Sequence, residues 1–175
     1  MKAATIAPLV AAACSGGGAP APSEVAQSAS GPPEVGKPAP DFALERLDGQ
    51  KLALRELRGQ VVLVNFWATW CAPCRVEMPI IQQVYNEYQG RGFAVVAVNL
   101  GEPRGDVAEY VQLGGYTWNF VLDPGQTVTK RYNILGLPSS FFLDRQGVIR
   151  QVHVGPFVSK EQLQQKVASF FQGGS

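Results

Sequence analysis

The 175-residue sequence is poor in charge, poor in histidine and without a long apolar run. Asp, Glu, Lys and Arg make up 17% of it and nearly cancel, leaving a formal net charge of +1. That balance excludes the electrostatic footprint of a nucleic-acid-binding domain, and it offers no attraction to an anionic membrane surface or an acidic partner. With a single C-x-x-C and only one histidine, the sequence lacks the paired Cys/His spacing of a structural zinc site. The N-terminal apolar stretch falls short of the ~20 residues that a transmembrane helix requires. There is no internal repeat.

What the chain does have is Trp70-Cys71-Ala72-Pro73-Cys74 directly behind the apolar run Val61 to Trp67. A strand that delivers a C-x-x-C to the start of a helix places both sulfurs on one face of the first turn, close enough for a disulfide. A bridge across so short a loop contributes only about 2 kcal/mol by chain entropy. It is a weak staple and a good switch, because the first sulfur points at the free N–H groups and positive dipole end of the helix, which favour thiolate.

The N-terminus accounts for the third cysteine. Lys2 is followed by small and apolar residues up to Ala13, the pattern of a signal peptide, and Leu9 to Cys14 resembles a bacterial lipoprotein signal. The expected division is a signal peptide over residues 1–13, a lipidated Cys14 opening a flexible Gly/Pro/Ser/Ala tether over 14–36, and a folded domain over 37–172. The tether has too little apolar surface to offset its ordering entropy. This arrangement implies an extracytoplasmic domain held at a bacterial membrane, where disulfides form and a reductant must be supplied.

Along the domain, residues 41–44 and 51–54 flank Asp48-Gly49 and predict a hairpin. A helical turn follows around Arg55 to Leu57. Val61 to Phe66 and Phe93 to Val98 are continuous apolar strands, as for strands covered on both faces. The helix opening at Cys71 carries Ile81, Val84, Tyr85 and Tyr88 at helical spacing, and Pro79 is expected to kink it without ending it. Asp106 with Glu109 reads as a capping box. Asn119 to Leu122 reads as a strand, and Asp123-Pro124 as the start of a helix ending near Asn133. Residues 140–143 and 148–154 form a hairpin, and Ser159 with Gln162 caps a last helix whose Leu163, Val167, Phe170 and Phe171 face the core. The fold class is α/β, a sandwich with a mixed sheet.

Residues 65–74, Asn-Phe-Trp-Ala-Thr-Trp-Cys-Ala-Pro-Cys, together with Leu137-Pro138-Ser139-Ser140 downstream, resemble the thioredoxin superfamily, and within it the TlpA/ResA branch. The resemblance covers about residues 36–171. It implies a thioredoxin-like three-layer sandwich whose central mixed sheet is flanked by helices, with an N-terminal β-hairpin and a strand–helix insertion between Leu100 and Asn133. It implies a thiol–disulfide oxidoreductase, more a reductant than an oxidant. Its substrates would be protein disulfides, such as the haem-attaching cysteines of apocytochrome c during cytochrome c maturation, and a membrane thiol carrier would supply electrons. No cofactor and no metal are expected, and the domain is expected to act as a monomer.

In that frame Cys71 is the exposed thiolate that attacks, and Cys74 is the buried thiol that resolves the mixed disulfide. Pro138 corresponds to a cis proline beside the dithiol, exposing the backbone of Leu137 to a substrate strand. Trp67 and Trp70 are expected to combine core filling with shielding of the dithiol, Trp70 on the substrate side. Glu77 shares the buried stripe of the helix with Ile81, Val84 and Tyr88, so it should be desolvated with a raised pKa. It would manage the proton of Cys74 where thioredoxins proper carry a buried aspartate and this chain has Asn65. His153 is read as a surface residue opposite Val148, Val152 and Val154.

Two other activities use related folds. A peroxiredoxin-type peroxidase needs a Pro-x-x-x-Thr/Ser-x-x-Cys run, and the corresponding positions here are Val64 and Ala68. A copper-binding chaperone pairs two cysteines, spaced one residue wider, with a distal histidine. Only His153 could serve.

Overall fold

The computed structural model describes residues 32–172. Cys14, the expected signal peptide and most of the expected tether therefore lie outside the described residues. One seven-stranded mixed sheet organises the remainder, in the order β2-β1-β5-β4-β3-β6-β7. Its centre is β3 (Val61–Trp67), parallel to β4 (Phe93–Asn99), which is parallel to β5 (Asn119–Leu122). On the other side of β3, β6 (Ser139–Leu143) and β7 (Ile149–Val154) form an antiparallel hairpin. The first hairpin, β1 (Ala43–Arg46) and β2 (Lys51–Ala53), joins the opposite edge by pairing β1 antiparallel to β5.

Side-chain alternation on the two continuous apolar strands supplies both cores. Leu63, Trp67, Val95 and Ala97 face a layer made by α1 (Ala72–Tyr88), α2 (Arg104–Gly114) and α4 (Lys160–Ala168). Val62, Val64, Phe66, Val96 and Val98 face the turn Leu54–Leu57 and α3 (Thr127–Arg131). The result is the three-layer thioredoxin-like sandwich that the motifs implied, with α2, β5 and α3 as the insertion. Helix α1 runs unbroken through Pro79 and buries Cys74, Glu77, Met78, Ile81, Val84 and Tyr88.

Three local expectations are corrected. Asp106 and Glu109 form no capping box: the rigid φ of Pro103 starts α2 at Arg104, and no side chain caps it. Helix α3 begins four residues after Asp123, because Gln126 adopts φ 52° and turns the chain first. Asp123 still anchors it, accepting from the Thr127, Val128 and Thr129 amides and from the Thr129 hydroxyl. The faces of β7 are reversed: Val154 is 71% exposed, whereas His153 is half-buried with its ring stacked on Phe157 at 4.6 Å. Phe157 covers the imidazole on the histidine face, while among the described residues no helix extends over Val152 and Val154.

Candidate active site

Helix α1 begins at the mouth of β3, and Cys71 is its N-cap. The Cys74 amide points at the Cys71 sulfur, 3.2 Å away, and Pro73 fits the first turn because no partner is needed there for an N–H. Cys71 and Cys74 form a disulfide, with Cα atoms 5.3 Å apart. The turn that enters the helix is held by Glu102, which accepts from the Thr69 amide, the Thr69 hydroxyl and the Asn99 side chain.

Cys71 is less open than expected. It is 4% exposed in the oxidised form, hardly more than the fully buried Cys74. Access is through a cleft of about 440 Å³ lined by Trp70, Pro73, Leu100, Ile134, Leu135 and Leu137, with no charged side chain among its lining residues. Trp70 and Leu135 stand on its rim at 69% and 91% exposure, while Trp67 is wholly buried in the core. The Leu137–Pro138 bond is cis, and Leu137 lines the same cleft as Cys71.

Behind the disulfide lies Glu77, inaccessible to solvent. Its Oε1 accepts from Asn65 Nδ2 at 2.8 Å and its Oε2 from the Phe157 amide at 3.0 Å. Asn65 Nδ2 also donates to Ser140 Oγ at 3.0 Å. Burial pushes the Glu77 pKa up from 4.5 to about 7, against the two donors, which favour the charged form. A carboxyl titrating near neutrality one helical turn from Cys74 can accept or return a thiol proton.

The fold thus gathers Trp70, Cys71 and Leu137 on the cleft, with the buried Pro138 joined to Leu137 by the cis bond, and Cys74 and Glu77 in the core behind. Ser140, the Phe157 amide and Glu102 also support the site, and sequence reasoning assigned them no such role. Asn65 supports it too; the resemblance had marked its position only as that of a buried aspartate in thioredoxins, and its polarity in an apolar strand was the other signal. Among the described residues no group of three or more His, Cys, Asp or Glu could hold a metal ion. His153 does not line the Cys71 cleft.

Residues 35–152 match the model of the AhpC/TSA family. The thiol-disulfide oxidoreductase ResA of Geobacillus thermodenitrificans is 38% identical over 135 residues, 77% of each chain. The thioredoxin-like protein YneN of Bacillus subtilis is 38% identical over 137 residues, 77% of this chain and 79% of its own. Among solved structures, a thioredoxin-family thiol:disulfide interchange protein from Chlorobium tepidum TLS superposes with a TM-score of 0.70 at 32% identity, covering 76% of this chain and 94% of that one. With its C-x-x-C at a helix N-terminus and these relatives over most of its length, the chain belongs to the AhpC/TSA family as a thioredoxin-like thiol–disulfide oxidoreductase of the ResA type.

Proposed function

We propose that this protein reduces protein disulfides outside the cytoplasm, held at a bacterial membrane by a lipid on Cys14. The observation that carries the reading is the disulfide at the head of α1, opening on an uncharged cleft and backed by a buried carboxyl. In the reduced protein the Cys71 thiolate attacks one sulfur of the substrate disulfide, forming a mixed disulfide and releasing the other sulfur as thiolate. Cys74 then gives its proton to Glu77 and attacks the Cys71 sulfur. The substrate leaves as its second thiolate, and two electrons have passed to it from the dithiol.

The lining of the cleft favours a polypeptide with uncharged residues beside its cysteine, and the Leu137 backbone is available to such a strand. Apocytochrome c, implied by the resemblance to the ResA branch, is the first substrate to test, and a membrane thiol carrier is the expected electron source. A Cys74→Ala variant should accumulate substrates linked through Cys71, identifiable by mass spectrometry. Recovery of no Cys71-linked protein from cells expressing it would overturn the reading. Cys14→Ser should release the protein from the membrane fraction, and a wild-type protein that is wholly soluble after fractionation would remove the anchor. Peroxidase activity with a thiol donor at rates above disulfide reduction would favour the peroxidase reading instead.

A further inference from the structure

Glu77 sits beside a row of polar groups that crosses the sheet. Asn65 on β3 lies opposite Ser140 on β6, and Ser140 lies opposite His153 on β7. Asn65, Glu77 and Ser140 are all fully buried. The donor end of Asn65 is engaged twice, by Glu77 Oε1 and by Ser140 Oγ, while its Oδ1 is buried with no partner. An unpartnered buried acceptor is unfavourable, and an apolar residue would avoid it.

The two protonation states of Glu77 explain why an amide belongs there. A carboxylate needs donors, whereas a neutral acid needs one acceptor for its proton. The Phe157 amide can only donate. Asn65 alone presents a donor and an acceptor on one planar group whose two ends have nearly the same shape, so a half-turn about its last torsion exchanges them. Ser140 can follow, since a hydroxyl accepts in one arrangement and donates in the other.

We propose that Asn65 is a positioning residue for Glu77, and that its amide turns over as Glu77 gains and loses the proton of Cys74. This rests on the role given to Glu77 above. With Nδ2 toward Oε1, as observed, Asn65 holds the carboxylate; with Oδ1 toward Oε1 it accepts the proton of the neutral acid. The other titratable or charged groups nearby are Cys74 on the same helix, His153 stacked on Phe157, and Lys166 of α4 beyond His153. Among the described residues no lysine or arginine pairs with Glu77.

The test is reduction of the oxidised full chain by dithiothreitol from pH 5 to 9, with rates divided by the dithiothreitol thiolate concentration. The reductant thiolate attacks the Cys71 sulfur, and Cys74 leaves with the proton of Glu77, so the corrected rate falls as Glu77 ionises. Asn65→Leu removes the charge-assisted donor and should move that fall upward by about one pH unit. Asn65→Asp keeps the shape but places a second carboxyl against Glu77, and should move it further, because the two then share one proton. Both effects should vanish in a Glu77→Gln background. The side-chain amide resonances of Asn65 should shift with the same midpoint as the rate. A wild-type midpoint in both Asn65 variants, with the fall abolished by Glu77→Gln, would overturn the proposal while sparing the role of Glu77. A Glu77→Gln profile superimposable on wild type would overturn both.

Discussion

Glu77→Gln should flatten the dependence of stability on pH. Burial raises the carboxyl pKa from 4.5 to about 7, so the folded protein favours the protonated form. The stability this preference contributes is complete below pH 4.5 and is lost as pH rises through 7. Each pH unit between those values is about 1.4 kcal/mol, so the wild-type protein should lose about 3 kcal/mol on this account between pH 4 and pH 8. That is a large share of a domain's usual ~5–15 kcal/mol. Glutamine does not titrate and carries no such slope. It has one acceptor oxygen where the carboxylate offers two, and the Phe157 amide and Asn65 both donate to the site. The mismatch costs about 1–3 kcal/mol if Asn65 does not turn over, and costs the same at every pH. It changes the height of the curve and leaves the slope untouched.

Urea denaturation of the oxidised forms at pH 4, 5, 6, 7 and 8 measures this, with the disulfide intact so that neither cysteine titrates. His153 acts with the opposite sign: burial lowers its pKa, so stability is lost as pH falls through its ordinary value of 6.5. It is present in both proteins and cancels in their difference. The expected result is a gap that moves in favour of the glutamine variant by about 3 kcal/mol from pH 4 to pH 8. Two parallel curves would refute the reasoning, and would mean that Glu77 is solvated in solution.

Three further expectations follow from the same geometry. After reduction, iodoacetamide should label Cys71 before Cys74, because the helix N-terminus and the Cys74 amide face its sulfur; peptide mapping that finds Cys74 labelled first would reverse their roles. Asp123→Ala should cost about 2–3 kcal/mol, since it strands the amides that start α3, and thermal unfolding within 1 °C of wild type would show that α3 starts without it. The imidazole of His153, the only histidine, should titrate by NMR with a midpoint below 6.5, and a midpoint above that value would place the ring in solvent.

The sheet and its order of elements were legible because the central strands carry nothing but apolar residues and Asn65 or Asn99, and because glycine and proline mark the turns between them. Cys71, Cys74 and the Leu-Pro pair were legible as motifs. Glu77 was legible from periodicity alone: it falls on the stripe of Ile81, Val84 and Tyr88, and the helix buries it there. The partners of Glu77 were not. Phe157 reaches the carboxyl through a backbone amide from eighty positions away, and a backbone N–H leaves no mark on the sequence. Asn65 was visible as a polar residue in an apolar strand, but which side chain it would meet depends on how α1 lies across β3.

The reversed faces of β7 show the same limit from the opposite direction. Alternation correctly sorted Val152 and Val154 from His153, since a strand enforces that division whatever surrounds it. Which side is covered is a separate question, answered by elements distant in sequence or by none. On the histidine side, Phe157 stacks on the imidazole and Lys166 of α4 lies close enough to act on its charge, so the ring is partly desolvated. On the valine side, α3 and the Leu54–Leu57 turn cover the middle of the sheet, and Val154, beside the chain that leaves α3, stays 71% exposed. The rule that apolar residues face inward holds where a layer exists to receive them, and among the described residues no helix covers the sheet edge nearest the Leu135 rim. That leaves an apolar strip of Leu135, Val152 and Val154, continuous through Leu135 with the cleft over Cys71. On the proposed function, a polypeptide substrate seated over the disulfide would meet apolar surface well past its own cysteine, and its recognition would depend on several uncharged residues.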